Sequence, residues 1–378
     1  MPTPIASLDT PAALVDIPQM QRNIQRMQER MNSLGVRLRP HIKTSKCLPV
    51  IHAQIAAGAS GVTVSTLKEA EHCFAAGIRD VFYAVAIAPG KLPQALALWR
   101  KGCNLSLLTD SVQGAEAIVA FAQQHDVRFD VWIEIDCDGH RSGLAAQDPV
   151  LIDVARILSK GGLHLRGVMT HAGSSYELDS LEPLQALAEQ ERALCVHAAD
   201  TLRAAGLACP EVSIGSTPTA LSALNLDGVT EVRAGVYVFF DLVMRNIGVC
   251  QADELALSVL TTVIGHQPEK GWIITDAGWM AMSRDRGTQR QHQDFGYGQV
   301  CSEAGDWIDG ARVTAANQEH GIVTLGAAHS DALVTRFPIG SRLRILPNHA
   351  CATGAQFPDY HAVEADGSVH TWSRLHGW

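Results

Sequence analysis

A lysine ends a short extended segment early in the chain and could carry a covalent cofactor. Lys43 lies in the stretch Arg39–Thr44, where the extended segment Val36 to Ile42 ends and a helical run opens near Ser45. A lysine amine at the C-terminal end of a barrel strand faces the barrel mouth, where it can capture an aldehyde cofactor as a Schiff base. A lysine of this kind, taken alone, is more often a solvated surface charge. Its neighbours in the fold must therefore support the prediction.

Small hydroxyl residues after the seventh predicted strand could hold a phosphate group. The stretch begins with Gly215, Ser216 and Thr217, and Arg233–Tyr237 adds a glycine and the phenol of Tyr237 near the same edge. Backbone N–H groups and short donors at this place hold phosphate in many barrels. Taken alone, a Ser/Thr-Pro turn that binds nothing is the better interpretation. Together with Lys43 across the barrel mouth, a phosphate-bearing aldehyde cofactor is favoured.

A histidine and a cysteine near the C-terminus could ligate a metal ion. His349 and Cys351 are two residues apart, and on an extended segment both side chains would project from the same face. Two protein ligands are too few for a closed structural zinc site, but they leave positions for water and substrate, as Lewis-acid catalysis requires. The alternative is a buried cysteine beside an unrelated histidine.

Three further polar residues occupy strand ends or loops that would face the barrel mouth. His171 ends the sixth predicted strand, Tyr176 follows it, and Arg141 lies in the loop after the fifth. Each of them alone is typical of an ordinary polar loop.

The elements that must position these residues alternate between strands and helices. Helical spacing appears in alanine-rich stretches such as Leu67 to Ala76, Leu92 to Lys101 and Leu181 to Ala205. Eight strands alternating with helices predict a closed parallel (β/α)8 barrel of the TIM type. An open doubly wound sheet is the second choice, and no GxGxxG opens a helix after the first strand. The predicted strands are Arg37–Ile42, Gly61–Ser65, Asp80–Val85, Asn104–Leu108, Phe129–Ile135, His164–Met169, Glu211–Ile214 and Val232–Phe239.

The pattern changes after about residue 245 to short β-prone segments separated by Gly, Asp and Pro turns. We expect a mainly antiparallel β domain over residues 246–378, joined by residues 1–16, and a cofactor-binding barrel over residues 17–245. The metal pair then lies in the β domain. The predicted strands of this domain are Ala12–Asp16, Leu257–Ile264, Trp272–Thr275, Arg312–Thr314, Ile322–Thr324 and Arg342–Ile345.

Composition narrows the class of protein. The 378 residues are 47% hydrophobic, enough for a barrel and a second domain, and the net charge is -9. The sequence contains no cluster of Lys and Arg residues that could bind along a nucleic-acid phosphate backbone, so we expect no nucleic-acid partner. We also expect no signal peptide and no membrane span. Nine scattered cysteines without a CxxC pair are typical of reduced thiols in the cytoplasm.

In combination these stretches resemble a known family. The chain is similar to the D-threonine aldolase and D-serine dehydratase group of the alanine-racemase-like, fold type III pyridoxal-phosphate enzymes. Three further stretches favour the dehydratases that act on 3-hydroxyaspartate: Trp132–Asp136, Tyr237–Asp241 and Arg374–Trp378. The motifs that carry the family resemblance are Thr10–Ala12, Arg39–Thr44, Val64–Ala70, Thr170–Gly173, Gly215–Pro218, Arg233–Tyr237, Asp276–Gly278, Asp285–Gly287, Glu319–Gly321 and Pro347–Cys351.

The resemblance implies roles for these residues. Lys43 would carry pyridoxal 5′-phosphate, and Gly215, Ser216 and Thr217 with Tyr237 would hold its phosphate. Tyr176 would meet the pyridine nitrogen and Arg141 the ring oxygen.

For the metal, the resemblance implies His349 and Cys351 as ligands of a divalent cation, namely Zn²⁺, Mn²⁺, Co²⁺ or Mg²⁺. A His-x-Cys pair favours the dehydratases, because the aldolases tend to show His-x-Asp. Many relatives carry histidine where this chain has Ser45, so no role is assigned to that position.

The function implied is the loss of water from a D-3-hydroxy amino acid, followed by hydrolysis of the resulting enamine to a keto acid and ammonia. With 3-hydroxyaspartate the keto acid would be oxaloacetate. A D-serine dehydratase, an aldolase that uses His171 as base, and a non-catalytic carrier of the cofactor remain as alternatives. A racemase would need a second proton donor and no metal. The side-chain carboxylate of the substrate could meet Arg141, Arg245, Arg284 or His320. The resemblance also implies a homodimer, with residues such as His320 reaching the partner's site.

Overall fold

The fold is that of a computed structural model, which describes residues 3–326 and 333–378. The helices in these residues are α1 Ile17–Ser33, α2 Leu48–Ala56, α3 Leu67–Ala75, α4 Leu92–Arg100, α5 Val112–His125, α6 Val150–Lys160, α7 Leu181–Ala204, α8 Thr217–Ser222, α9 Leu242–Ile247, α10 Trp279–Met282, α11 Leu333–Arg336 and α12 Ala350–Gly354. The strands are β1 Thr3–Pro4, β2 Ala12–Asp16, β3 Arg37–Leu38, β4 Val62–Val64, β5 Asp80–Ala86, β6 Asn104–Thr109, β7 Asp130–Asp136, β8 Leu144–Ala145, β9 His164–Thr170, β10 Glu211–Ile214, β11 Glu231–Val232, β12 Leu257–Gln267, β13 Trp272–Thr275, β14 Gln299–Ser302, β15 Trp307–Ala316, β16 Gly321–Thr324, β17 Arg342–Leu346, β18 Asp359–Val363 and β19 Ser368–Ser373.

The chain divides into two compact units. The first described below, the barrel unit, comprises Gln25–Gly235 with Gly377–Trp378, and the second, the β unit, comprises Met1–Ile24 with Val236–His376. No helix within the described ranges is both long and apolar enough to cross a membrane.

The barrel unit is built on eight parallel strands, as the alternation of strands and helices predicted. Their order is β3-β11-β10-β9-β7-β6-β5-β4, with the short β8 beside β7. A parallel bridge between His41 and Thr63 closes the circle, and the Thr63 N–H donates to the Pro40 carbonyl at 2.8 Å. The TIM-type barrel is therefore confirmed. A closed barrel brings the C-terminal ends of all eight strands to one mouth, where barrel enzymes carry their active sites.

Two predicted barrel strands were too long. The first is regular only over Arg37–Leu38, because Pro40 has no N–H to donate to a ladder. The eighth is Glu231–Val232 alone, and Val236–Val238 forms a 3-10 turn in which the Val236 carbonyl accepts from Phe240 N at 2.8 Å. The run of β-branched and aromatic residues suggested a strand, but these residues are buried core residues in a turn.

One side of the barrel interior is polar, which the sequence pattern did not reveal. Arg39 is buried and donates to Glu231 at 2.9 Å and to both oxygens of Asp80 at 2.7 and 3.1 Å. The Ser213 hydroxyl donates to Glu231 at 2.7 Å and accepts from Arg233 at 2.7 Å. The unit also contains a buried apolar cluster of Phe82, Leu108, Trp132 and Met169. Arg39 and Glu231 are paired with each other, which offsets much of the cost of their burial.

The β unit is mainly antiparallel, as predicted. Its sheet runs β1-β19-β18-β2-β12-β13-β16-β15-β14-β17, and β17 also pairs with β12. The pairing of β17 with β12 closes six strands, β12 to β17, into a second barrel, so these strands have no open edge in that barrel. The early segment β2 joins this sheet against β12, as expected from its sequence.

Candidate active site

The turn that carries Lys43 is held on both sides by hydrogen bonds and an ion pair. The Lys43 backbone N–H donates to His41 Nδ1 at 3.4 Å, and His41 Nε2 lies 3.4 Å from the Ser65 hydroxyl. Three residues after Lys43, the Lys46 amine pairs with the buried carboxylate of Glu69 at 2.8 Å, although Lys46 takes the left-handed φ of 45°. Lys43 itself is exposed. Its side chain is thus presented on a fixed backbone at the end of the first strand.

Glu69 is a residue that the sequence analysis missed. Besides pairing with Lys46, it accepts from Ser65 N at 2.8 Å, and its own N–H donates to the Thr66 hydroxyl at 3.0 Å. This reciprocal arrangement fixes the start of α3. The sequence signal was available, because Thr followed three residues later by Glu is a helix-capping signature.

The barrel mouth is electropositive and keeps two imidazoles neutral. Burial lowers the pKa of His171 to about 3, with further lowering by Lys43, Arg141 and Arg233. Burial and the same positive neighbours lower the pKa of His41 well below its usual value. A positive mouth lined by neutral imidazoles favours a ligand that carries a dianionic phosphate.

A hydrogen bond to Gly215, the residue after the seventh barrel strand, orients the ring of His171, the predicted base. His171 Nδ1 lies 3.0 Å from the Gly215 carbonyl oxygen. Because a carbonyl can only accept, Nδ1 must carry the proton, and Nε2 of the neutral ring keeps its lone pair. The Tyr176 ring, in the 3-10 turn Gly173–Glu177, has its centroid 6.2 Å from the His171 ring. The structure therefore brings Gly215, His171 and Tyr176 together.

Gly215 takes a conformation that only glycine adopts readily. Its φ is +121°, and a Cβ there would lie 2.9 Å from a Val232 methyl group. Ser216 then caps α8: its hydroxyl accepts from Thr219 N at 3.2 Å, and Thr219 Oγ1 accepts from Ser216 N at 3.0 Å. Thr217, the first residue of α8, is buried. The turn predicted to bind phosphate is therefore tight and carries small side chains, which suits close approach of an anion to its backbone.

Arg141 lies in the loop after β7, and its guanidinium is 3.3 Å from the buried carboxylate of Glu134. Its side chain is half exposed, at 54%. The loop is anchored by Asp138, whose carboxylate accepts from both the N–H and the hydroxyl of Ser174 at 2.8 Å. Arg141 is thus at the barrel mouth, as predicted, with its guanidinium partly exposed.

The other candidate residues belong to the β unit. Tyr237 is fully buried in the Val236–Val238 turn. Arg245 lies over the rings of Phe295 and Trp307, with centroid distances of 5.6 and 5.0 Å. Arg284 lies 4.0 Å from the centroid of the Trp279 ring, and His320 is exposed.

The segment with His349 and Cys351 is not extended, contrary to the prediction. His349 is the N-cap of α12, and Cys351 lies in the first turn of that helix. The buried carboxylate of Asp241 causes this, because it accepts from Ala350 N at 2.9 Å and so holds the start of the helix. The two side chains still meet, and the Cys351 thiol is within hydrogen-bonding reach of His349.

His349 is held by a carboxylate on its other side. Its Nδ1 lies 2.5 Å from Asp285 Oδ2. Burial favours the neutral ring, but the charges of Cys351 and Asp285 outweigh it and raise the pKa of His349 well above its usual value. Within residues 3–326 and 333–378 no set of three or more His, Cys, Asp or Glu side chains forms a metal cluster. An imidazole and a thiol pointing at each other, with a carboxylate behind the imidazole, fit an open two-ligand site for a divalent cation.

Comparison with known proteins gives two family matches in succession. The family described as "Alanine racemase, N-terminal domain" matches residues 15–243. The family described as "Putative serine dehydratase domain" matches residues 256–363.

Individual relatives extend over nearly the whole chain. The D-threo-3-hydroxyaspartate dehydratase of Delftia sp. (strain HT23) is 69% identical over 353 residues, which is 93% of each chain. The D-serine dehydratase of Dictyostelium discoideum is 29% identical over 90% of each chain. A solved structure of a D-threo-3-hydroxyaspartate dehydratase, a cysteine-to-alanine variant described as the metal-free form, superposes with a TM-score of 0.98 at 67% identity and full coverage of both chains.

Proposed function

Because the chain belongs to the alanine racemase N-terminal domain family of fold type III pyridoxal-phosphate enzymes, we propose that it is a pyridoxal 5′-phosphate-dependent dehydratase of D-3-hydroxy amino acids. The preferred substrate is D-threo-3-hydroxyaspartate, and the products are oxaloacetate and ammonia. The observation that carries this proposal is the identity to the Delftia dehydratase, which extends across both units.

We assign the cofactor to the barrel mouth. Lys43 would hold the cofactor through its aldehyde, and the turn Gly215–Thr217 with Tyr237 would hold the phosphate. Arg141 would lie near the ring oxygen, and Tyr176 would lie near the pyridine nitrogen. Three observations support these assignments: the barrel mouth is electropositive, Lys43 is exposed, and the turn at Gly215 carries small side chains.

When bound, pyridoxal phosphate supplies an electron sink that stabilises negative charge at the substrate Cα. Lys43, the residue that would hold the cofactor, would also remove the proton from the substrate Cα. Two features of the chain prepare Lys43 for this step: His41 holds its backbone N–H, and Lys46 and Glu69 fix the following residues. A phenol such as Tyr176 keeps the pyridine nitrogen less fully protonated than a carboxylate would, so assistance to the leaving group gains importance.

We assign that assistance to a divalent cation held by His349 and Cys351. The cation supplies Lewis-acid assistance to departure of the substrate β-hydroxyl. Asp285 contacts His349 through Nδ1, which would leave Nε2 available to hold the ion. The metal-free description of the cysteine variant of the relative supports a cysteine ligand. An imidazole and a thiolate favour Zn²⁺, while Mn²⁺, Co²⁺ and Mg²⁺ remain candidates for a site that keeps several waters.

A second candidate function is aldol cleavage of the same class of substrates. The observation that favours it is the neutral His171 with its Nε2 lone pair directed away from Gly215. Such a ring could take the β-hydroxyl proton, after which the Cα–Cβ bond would break.

The test is a panel of D-serine, D-threonine and the 3-hydroxyaspartate isomers, assayed separately for keto acid, aldehyde and ammonia. We expect keto acid and ammonia in equal amounts, most rapidly from D-threo-3-hydroxyaspartate, with loss of turnover after chelation of the metal. Aldehyde formation would establish the aldolase, and preference for D-serine would establish the D-serine dehydratase. Lys43→Ala serves as the control for background reaction. A protein that binds the cofactor and turns over none of these compounds would be a carrier.

We further propose a homodimer in the cytoplasm. The family resemblance supports the dimer. None of the nine cysteines, all of which the structure describes, forms a disulfide, and eight of them are buried, which suits a reducing compartment.

A further inference from the structure

A buried carboxyl group behind the barrel mouth contacts both turns that carry the candidate site. Glu191 lies near the middle of α7, and its side chain has no exposed surface. One oxygen, Oε1, accepts from Ala172 N at 2.9 Å and from Gly215 N at 3.1 Å. Ala172 follows His171 at the end of β9, and Gly215 follows the end of β10. Glu191 therefore joins two adjacent strand ends at the point where they separate.

The same two turns are joined by two more contacts. His171 Nδ1–H donates to the Gly215 carbonyl, so Gly215 is held through its N–H by Glu191 and through its C=O by His171. Farther along the turns, the Ser175 and Ser216 hydroxyls lie 2.8 Å apart. A shift of Gly215 would thus move both the His171 ring and the start of the phosphate turn.

We propose that Glu191 is a positioning residue that aligns the His171 imidazole and the Gly215–Thr217 turn as one unit for the cofactor. This inference rests on the proposed function, because it assumes that the turn binds the cofactor phosphate. Glu191 has no exposed surface, and it acts by accepting hydrogen bonds from two buried backbone N–H groups. An acceptor that served only the packing of α7 would not need to satisfy both turns at once.

The chemistry of the site requires an acceptor at Oε1 more than a negative charge. Burial raises the pKa of Glu191, and the opposing contacts with Thr219, Ala172 and Gly215 only reduce this shift. A glutamine keeps the carbonyl oxygen at the same distance from the helix. An aspartate keeps the carboxyl group but is shorter by one methylene, so it cannot reach both N–H groups.

The experiment compares Glu191→Gln, Glu191→Asp and Glu191→Leu with Glu189→Ala, an exposed position on the same helix that pairs with Arg192. Two quantities are measured: hydrogen exchange of the cofactor-free protein in peptides spanning residues 171–176 and 213–219, and the dissociation constant of pyridoxal phosphate. We expect the aspartate and leucine variants to exchange about fivefold faster or more in both peptides, and to bind the cofactor at least about tenfold more weakly. The glutamine variant should stay within about threefold of the unchanged protein in both.

Three results would overturn the proposal. One is a Glu191→Asp variant with unchanged exchange and affinity, which also decides the case if Glu191→Leu does not fold. Another is a glutamine variant as impaired as the leucine variant, since charge would then matter and not the acceptor. The third is faster exchange in both peptides with unchanged cofactor affinity, which indicates packing alone. Hydrogen exchange is measured on the cofactor-free protein, so it tests the contact between the turns whether or not the cofactor binds. A protein that bound no pyridoxal phosphate would refute the proposed function, and the exchange result would still be informative.

Discussion

Replacement of His171 by asparagine tests whether the barrel mouth keeps this imidazole neutral. Asparagine can place its amide nitrogen near the position of Nδ1 and keep the hydrogen bond to the Gly215 carbonyl, but it does not titrate. The pKa of His171 falls from 6.5 in the free side chain to about 3 in the folded protein, mainly because of burial. The unfolded chain therefore binds a proton at this residue between these values, and the folded chain does not.

The sign and size of the effect follow from linkage. A depressed pKa in the folded state means that stability is greatest above the unfolded value and is lost as the pH falls. From pH 7 to pH 5, uptake of one proton by the unfolded state alone lowers the free energy of unfolding by about 2 kcal/mol. The His171 ring is only partly shielded from solvent, so screening reduces the expected loss to about 1–2 kcal/mol.

The assay is urea unfolding of the cofactor-free protein at pH 7 and pH 5, at one protein concentration and one ionic strength. The other histidines and the carboxylates titrate in both proteins, so the quantity of interest is the difference in pH dependence between the unchanged protein and His171→Asn. The variant should lose about 1–2 kcal/mol less stability over this range. Equal losses in the two proteins would show that His171 titrates as a solvated imidazole, and the neutral base would have to be abandoned.

Four other outcomes are expected from the same structure. Cys351→Ala should retain the visible absorbance of the bound cofactor but lose metal and most keto acid formation, which metal analysis and the ammonia assay would measure; normal turnover in chelator-treated buffer would contradict this. Asp285→Asn should weaken metal binding about 10- to 100-fold, because His349 loses its orienting carboxylate. Metal titration of the cofactor-free protein measures this, and an unchanged affinity would show that the contact is incidental. Glu231→Ala should destabilise the barrel by about 3–5 kcal/mol in urea unfolding, because the buried Arg39 loses one carboxylate; a loss below 1 kcal/mol would mean that Asp80 alone is a sufficient partner. Light scattering should give twice the 40.6 kDa chain mass, and a monomeric mass in an active preparation would exclude the dimer.

The barrel could be predicted from the sequence because its signal is periodic. Each strand end coincides with a turn and each helix with an amphipathic stretch, so the order of the elements follows without knowledge of contacts. The C-terminal β domain was predicted for the same reason. The errors occurred where burial overrides propensity: Val236–Val238 has strand-forming residues in a turn. At His349 and Cys351 a helix starts where an extended segment was expected.

Other features could not be predicted because they depend on contacts between distant residues. Arg39 and Glu231 are 192 positions apart in the sequence. Their charges are typical of surface residues, but in the folded barrel both are buried. Asp241 meets Ala350 across 109 positions. Nothing in a single sequence distinguishes such a carboxylate from an exposed one. Glu69 is the exception, because its contacts are local and leave a capping signature.

Three of the residues that were missed share one chemical property: each has a buried carboxyl group that accepts from the backbone N–H of a turn or a helix start. Glu69 contacts the N–H of Ser65, Glu191 contacts those of Ala172 and Gly215, and Asp241 contacts that of Ala350. In each case a carboxyl oxygen accepts a hydrogen bond from a backbone N–H, and the low polarity of the interior strengthens such a bond. Burying each carboxyl group costs free energy, as the raised pKa values of Glu191 and Asp241 indicate. These bonds fix the backbone of the turns, so the proposed site residues Lys43, His171 and Cys351 would need little reorganisation for the proposed reaction.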